Sequence, residues 1–180
     1  MDETEKTRFT DIVEWLDKEF STIRTGQATP TLLDGVRVES YGSMLPLNQV
    51  GSVGIEDART LRISPWDATQ VKAVEKAIAD ANLGLSAMAD SSGVRVIFPE
   101  LTGERRQQLV KLAKSKLEDA RVSVKAVRDD IIKAIDAAEK SGDMSQDDKF
   151  TQKEEAQKLV DAANRALEAR YGEKEAEISR

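Results

Sequence analysis

A row of charged side chains recurs at alternating steps of three and four residues between positions 111 and 128. This row, called the basic row below, consists of Lys111, Lys114, Glu118, Arg121, Lys125 and Arg128. Five of its six members are cationic, and the spacing puts them on one face of a helix. Lys and Arg contact nucleic-acid phosphates, and the guanidinium of Arg also stacks on bases. The row therefore indicates either an RNA-binding face or a solvated helix face.

Two residue types that carry much of enzyme chemistry are absent from the sequence. The 180 residues include no Cys and no His, which excludes disulfides and removes the commonest nucleophile–base pairs and zinc ligands. The glycines of Gly51–Gly54 lack the spacing and the following Lys of a phosphate-binding loop. The adjacent acids Glu56 and Asp57, like Glu154 and Glu155, are expected to be solvent-exposed. We therefore predict a protein that is not an enzyme and holds no metal or cofactor.

Charge is unevenly distributed along the chain. The net charge is −6, but residues 103–128 hold eight Lys and Arg against three Asp and Glu, whereas residues 129–180 hold nine against fourteen. A basic strip on an acidic body can bind RNA at one face while the rest limits non-specific binding. From the polar N-terminus we expect no signal peptide. No apolar run approaches the roughly 20 residues that span a bilayer. A soluble cytoplasmic protein without membrane contact is expected.

The basic row lies on a long uninterrupted helical pattern. Leu101–Lys140 contains no Gly or Pro after Gly103. Its apolar seam follows the same spacing and comprises Val110, Ala113, Leu117, Ala120, Val124, Val127, Ile131, Ala134 and Ala138. Such a seam over about four heptads predicts a long helix that packs lengthwise against other helices. Arg105 and Arg106 fall in its first turn, where the helix dipole disfavours cations, and this mild cost indicates a possible contact with an external anion or RNA.

Two further helices are predicted to complete a bundle with the long one. Residues 2–25 are predicted to form the first helix, with apolar side chains on one face and Arg24 at its end. After a Gly-containing break, Ser145 can cap a last helix. The narrow seam of that helix is Ala156, Val160, Ala163 and Leu167. We predict that residues 1–29 and 103–180 form a long antiparallel three-helix bundle.

Between the first two helices the pattern changes to short strands around one helix. The strand candidates are Val36–Ser40, Met44–Leu47, Gln49–Val53, Arg59–Ile63 and Val94–Phe98. Residues 68–81 show helical spacing. Residues 30–102 are therefore predicted to form a small inserted α+β module, which makes the chain an α+β protein of two domains.

Two connections join the predicted module to the predicted bundle. They lie at Thr29 and Pro30 and at Leu101 and Thr102. Because two separate stretches of chain cross between the domains, we predict that they form a hinge of limited freedom.

Several ordered stretches resemble the ribosome recycling factor family. Ile23–Pro30, which reads IRTGQATP, resembles that family's IRTGRASP-type junction, and Tyr41-Gly42 followed by Pro46-Leu47 resembles its YG…PL hairpin. Further matches are Leu32–Gly35, Asp57–Leu61, Val74–Ile78, Leu83–Leu85, Leu101–Arg106, Ala120–Arg128 and Gln157–Asp161. The matches follow the family's order over nearly the whole chain, and jointly they are very specific.

The resemblance implies a fold and a role. The expected molecule is a two-domain L-shape, in which a long antiparallel three-helix bundle is hinged to a small β/α/β module. The implied function is binding to the large ribosomal subunit after termination, followed by splitting of the post-termination ribosome into subunits with elongation factor G and GTP. The nucleotide belongs to the partner, since this chain has no nucleotide-binding loop. A monomer off the ribosome is expected.

The resemblance also implies which residues contact rRNA. These residues are Arg24, Arg121, Lys125 and Arg128. Two departures from the family pattern are visible: Gln27 stands where the family usually has Arg, and Asp129 stands where a second basic residue is common. Both departures indicate RNA contact that is weaker or differently distributed.

A hypothesis from another class stays open on the sequence. A helical protein–protein adaptor with no ribosome role would also present a bundle seam or a small module to its partner. A pull-down from lysate separates the two hypotheses, because ribosomal subunits would be recovered in the first case and one soluble protein in the second.

Overall fold

The computed structural model describes residues 3–180 and contains long helices together with short antiparallel strands. In chain order the elements are α1 (Glu3–Ser21), β1 (Arg37–Ser40), β2 (Ser43–Pro46), α2 (Leu47–Val50), β3 (Gly51–Asp57), β4 (Thr60–Pro65), α3 (Val71–Asp80), β5 (Ser86–Asp90), β6 (Gly93–Ile97), α4 (Gly103–Ser141) and α5 (Gln146–Ser179). Short 3-10 turns lie at Pro30–Leu33 and Ala68–Gln70. The predicted α+β class is confirmed. Within residues 3–180 we find no helix with the combination of length and apolarity that crossing a bilayer requires.

The chain divides into two compact units. The helical unit comprises the described part of residues 1–20 and Gln108–Ala176, and the sheet unit comprises Ser21–Gln107 and Glu177–Arg180. The first turn of α4 and the last residues of the chain therefore belong to the sheet unit. The division predicted from the sequence, with a module at residues 30–102, stays a prediction.

The helices α1 and α4 of the helical unit run antiparallel. Arg8 pairs with Asp130 at 2.7 Å, and Glu19 pairs with Lys116 at 3.0 Å. As the residue number rises along α1, that of its partner on α4 falls. Ion pairs exposed to this degree contribute little to stability, so they mark the pairing of the helices and do not cause it.

The helices α4 and α5 also run antiparallel. Arg121 of α4 pairs with Glu168 of α5, and Asp136 of α4 pairs with Lys149 of α5 at 3.1 Å, so the partner's residue number falls as the number along α4 rises. The predicted restart at Ser145 is observed, because the Asp148 amide donates to the Ser145 hydroxyl at 3.1 Å. This bond satisfies one of the amides that a helix start leaves without a partner.

Apolar burial along the seam holds the helices together. The buried residues of α4 in the helical unit are Leu109, Ala113, Leu117, Ala120, Val124, Val127, Ile131 and Ile135. The centre of the predicted seam is therefore confirmed, but its ends are wrong: Val110 and Ala138 are only half-buried, and Ala134 is exposed. A strict three-and-four alternation has a period of 3.5 residues, whereas a straight helix has 3.6, so the buried face drifts away from the alternation over several turns.

The sheet unit is built on a four-stranded antiparallel sheet in the order β3-β4-β6-β5, with β1 and β2 forming a separate hairpin. Its core combines Val74 and Ile78 of α3 with Leu61, Ile63, Val94, Val96 and Phe98. The strand predicted at Gln49–Val53 is wrong in its first half, since Leu47–Val50 forms the short helix α2 directly after Pro46. The sequence also missed β5, an edge strand that lacks the β-branched and aromatic residues typical of strands.

Charged side chains pair across neighbouring strands of the sheet. Arg62 and Arg95 are cross-strand neighbours, a position where like charges repel. Asp90 binds the Arg62 guanidinium at 3.0 Å and 3.1 Å, and Glu56 binds Arg95 at 2.9 Å. The two hydrogen bonds from Arg62 lower the pKa of Asp90 to about 2. The repulsion is thus neutralised within the sheet unit.

The first helix is shorter than predicted. It ends at Ser21, not at residue 25, while residue 2 lies outside the described chain. Beyond the helix Ile23 and Thr25 are buried, with the half-buried Arg24 between them. Thr22, Ile23 and Thr25 are β-branched, which disfavours helix. In an extended conformation the side chains of Ile23 and Thr25 point to the same side and can both be buried, whereas a further helical turn would point them in different directions.

Candidate nucleic-acid interface

A shallow groove runs along the helical unit between α4 and α5. Its volume is about 560 Å³. The side chains that line this basic groove are Arg121, Val124, Lys125 and Arg128 from α4 and Val160, Asn164, Arg165 and Glu168 from α5. Three members of the predicted basic row therefore lie together on one wall.

Helix geometry explains why these side chains share the groove. Val124 and Val160 belong to the seams of α4 and α5 and are buried, so they form the floor. Arg121, Lys125 and Arg128 follow the seam at steps of four and three, which places them beside it along one wall. The groove thus combines a buried apolar floor with cationic edges.

Arg121 is held in place by two carboxylates. Its Nη1 donates to Glu118 Oε1 at 2.7 Å, and its Nη2 forms an ion pair with Glu168 on the opposite wall. The side chain still exposes 36 % of its surface. Ion pairs at this exposure are worth about 0–1 kcal/mol, so an incoming phosphate can replace either carboxylate.

Arg128 is bound by the carboxylate that follows it in sequence. Its Nε and Nη2 donate to Asp129 Oδ1 at 3.1 Å and 2.8 Å, and its side chain keeps 37 % exposure. These hydrogen bonds lower the pKa of Asp129, and the nearby charges of Arg128 and Lys125 lower it further. Lys125 itself is exposed. Asp129 therefore competes, as a fixed charged group, with any anion that approaches Arg128.

The sequence reasoning missed Arg165. This exposed side chain lies on α5 and faces the groove from the wall opposite the basic row. Arg165 lies in an acidic segment whose charges follow no periodic pattern, so the sequence does not indicate which residues surround it. Its position in the groove follows from the packing of α5 against α4. The signal that could have found it is the α5 seam: residues 164, 165 and 168 flank Val160 and Leu167 much as the basic row flanks the α4 seam.

Arg24, which the sequence placed at the end of the first helix of the bundle, lies instead beyond α1 in the sheet unit. Its Nη2 donates to the Pro99 carbonyl, and its guanidinium carbon lies 5.8 Å from the centre of the Phe98 ring. Burial and the nearby charge of Arg105 lower the pKa of Arg24. The side chain thus ties Phe98 and Pro99 to the segment after α1, and its predicted contact with rRNA stays a prediction.

The start of α4 contains the other two predicted cations. The Arg105 amide donates to the Thr102 hydroxyl at 3.1 Å, which makes Thr102 the cap of the helix. Arg106 is half-buried, and among residues 3–180 its Nε has no hydrogen-bond partner. Leu101 is buried. Both arginines belong to the sheet unit, outside the basic groove, and contact with an anion or RNA stays a prediction for them.

The first predicted hinge connection makes hydrogen bonds within the sheet unit. Pro30 begins a 3-10 turn, and Thr29 Oγ1 lies 3.3 Å from Thr31 Oγ1. The Ala28 amide donates to the Ala58 carbonyl at 2.8 Å. The hinge role of Thr29 and Pro30, like that of Leu101 and Thr102, stays a prediction.

The arrangement in the helical unit suits binding of a polyanion. Four cations line the basic groove against a single lining carboxylate, Glu168. Within residues 3–180 no cluster of three or more acidic side chains is placed to hold a metal ion. What the groove offers is charge, guanidinium forks and an apolar floor.

Comparison with known proteins matches one family over most of the chain. A family model described as Ribosome recycling factor matches residues 16–178. The ribosome-recycling factor of Chlorobaculum parvum is 47% identical over 166 residues, which cover 92% of this chain and 89% of the relative. That of Desulforapulum autotrophicum is 37% identical over 173 residues, which cover 96% and 94%.

Solved structures give the same match. A solution structure of the ribosome recycling factor superposes with a TM-score of 0.77 at 33% identity and covers 97% of this chain and 93% of the other. The second structure presents models of the T. thermophilus ribosome recycling factor and the E. coli elongation factor G bound to the E. coli post-termination complex. Its matching chain has a TM-score of 0.67 and 32% identity and covers 97% and 95%.

Proposed function

Because the chain belongs to the ribosome recycling factor family, we propose that it binds large-subunit rRNA after termination and, with elongation factor G and GTP, splits the post-termination ribosome into subunits. The observation that carries this proposal is 47% identity over 92% of the chain to a protein named ribosome-recycling factor. Family membership also favours this role over the adaptor hypothesis.

The basic groove is the part of the chain that we assign to rRNA. Arg121, Lys125, Arg128 and Arg165 present four cations along one groove, as a phosphate backbone requires. The net charge of −6 disfavours non-specific contact elsewhere on the chain. We propose Arg24 as a further rRNA contact outside the groove, with Arg105 and Arg106 as possible anion or RNA contacts.

The sheet unit is proposed to receive the action of elongation factor G. The connections at Thr29 and Pro30 and at Leu101 and Thr102 would then serve as the hinge that converts this action into displacement of contacts between the ribosomal subunits. We propose that the chain is a mechanical factor without catalytic chemistry of its own, that the partner hydrolyses the GTP, and that the chain acts in the cytoplasm as a monomer when off the ribosome.

The proposal is tested by light scattering from post-termination ribosomes. Addition of the chain with elongation factor G and GTP is expected to lower the scattered intensity, because separated subunits scatter less than whole ribosomes. Omission of the chain, of the factor or of GTP serves as the control for each component. Intensity that is unchanged in the complete mixture would refute the proposed function.

Asp129→Asn is expected to strengthen binding to the large subunit. The substitution removes the carboxylate that binds Arg128, and because an exposed ion pair of this kind is weak, we expect a gain of at most about fivefold in affinity. The dissociation constant is measured by filter binding at fixed salt, since affinity for RNA depends steeply on ionic strength.

Asp130→Asn is the matched control for this prediction. It removes the same charge one residue away, but its carboxylate binds Arg8 on α1 at 2.7 Å and does not line the basic groove. Equal gains from both variants would show that net charge, and not the release of Arg128, determines the affinity.

A further inference from the structure

The basic groove differs from a plain cationic helix face because it has a floor. Val124 and Val160 form this floor and are buried. The half-buried amide of Asn164 lines the groove with them. Contact with phosphates alone needs only exposed cations on a convex surface. A concave groove with aliphatic side-chain stems and an amide along it offers contacts that phosphates do not use.

We propose that the basic groove seats the base of one unpaired nucleotide, while Lys125, Arg128 and Arg165 hold the phosphates on either side of it. This inference rests on the proposed function, since it names the kind of rRNA element that the site takes. That element is a loop, a bulge or a single strand, and not an uninterrupted duplex.

The dimensions and chemistry of the groove support a base as its occupant. Its volume of about 560 Å³ leaves room for a single base at an open surface. Because Val124 and Val160 are almost completely covered, the flat face of a base would rest on the aliphatic stems of the arginine and lysine side chains beside them. The Asn164 amide carries both donors and an acceptor for the base edge. In an A-form duplex the faces are stacked and the pairing edges are used, so only an unpaired base can enter.

The ion pair between Arg121 and Glu168 joins the two walls of the groove. Because a half-exposed pair of this kind is weak, a phosphate can take the guanidinium of Arg121 from Glu168. The released carboxylate then accepts a hydrogen bond from an N–H group of the seated base. Arg121 therefore contacts the phosphate of the nucleotide, and Glu168 contacts its base.

The test compares two RNA hairpins that differ by one nucleotide. One has an uninterrupted stem, and the other has the same stem with a single bulged nucleotide. Binding of each to the full chain is followed by fluorescence anisotropy at the same salt concentration. We expect the bulged hairpin to bind about tenfold more tightly, which is the gain that one or two hydrogen bonds from Asn164 and Glu168 to the base edge supply.

Asn164→Phe fills the groove without a change of charge. It is expected to abolish the preference for the bulged hairpin, so that the two hairpins bind this variant with equal affinity. Ala162→Phe is the matched control, since residue 162 is exposed and lies about 200° round α5 from Val160. Circular dichroism checks that both variants keep their helix content.

The outcomes separate this inference from the proposed function. Equal binding of the two hairpins, or an unchanged preference in Asn164→Phe, would overturn the base seat even if Arg128→Ala weakens the binding of both hairpins. If Arg128→Ala leaves the binding of both unchanged, the assignment of the groove to RNA is overturned, and the base seat with it.

Discussion

Replacement of Arg121 and Arg128 together by alanine is expected to weaken binding to the large ribosomal subunit by roughly 30-fold or more. Each charge-assisted hydrogen bond to a phosphate is worth about 1–3 kcal/mol. The two residues are two helical turns apart, about 10 Å along α4, so their contributions should nearly add. Because each guanidinium already binds a carboxylate, we expect the lower end of the summed range, about 2 kcal/mol.

The dependence on salt distinguishes loss of phosphate contacts from loss of structure. Each neutralised phosphate adds about 0.7–0.9 to the slope of the logarithm of affinity against the logarithm of salt concentration. The double variant should therefore show a slope that is shallower by about one to two units. The measurement is the dissociation constant of the large-subunit complex over a series of salt concentrations.

The matched control is the double variant Arg8→Ala with Arg170→Ala. These arginines also form ion pairs across helices, with Asp130 and Asp17 at 2.7 Å and 2.8 Å, and neither lines the basic groove. The control removes the same number of positive charges as Arg121→Ala with Arg128→Ala. If the groove is the binding surface, the control should change the affinity much less. Equal losses in the two double variants would refute the groove as the RNA site.

The sequence predicted one wall of the basic groove and missed the other. The spacing of Arg121, Lys125 and Arg128 within one helix reveals their common face, because helical periodicity depends on local sequence alone. The position of Arg165 depends on how α5 packs against α4, and no single-helix pattern contains that information. The same limit applies to Glu168, whose pairing with Arg121 joins residues 47 positions apart in the sequence.

The fold was predicted well where long periodic patterns exist and less well where short elements depend on their neighbours. The seam of α4 could be read over its centre because many turns repeat it. The strand β5 could not, since Ser86–Asp90 is mostly exposed and owes its conformation to pairing with β6. The end of α1 was also misplaced, because the burial of Ile23 and Thr25 is a tertiary effect that overrides the local helical pattern.

Phe98→Ala is expected to lower the free energy of unfolding of the sheet unit by about 3–5 kcal/mol. The ring is fully buried in the core formed with Leu61, Val96 and neighbouring residues, and Arg24 packs over it. Removal of the ring leaves a cavity next to a guanidinium that burial already disfavours. The change is measured by urea unfolding followed by circular dichroism.

Phe150→Ala is the matched control for this substitution, because the same ring at position 150 is 71% exposed on α5. Its effect should stay within about 0.5 kcal/mol. Since the chain has two compact units, a single unfolding transition cannot be assumed. Hydrogen exchange of the β4 and β6 amides therefore shows whether the loss of stability lies in the sheet unit. Protection of these amides should fall in Phe98→Ala and remain in Phe150→Ala. Similar small effects of the two substitutions would contradict a core built around Phe98.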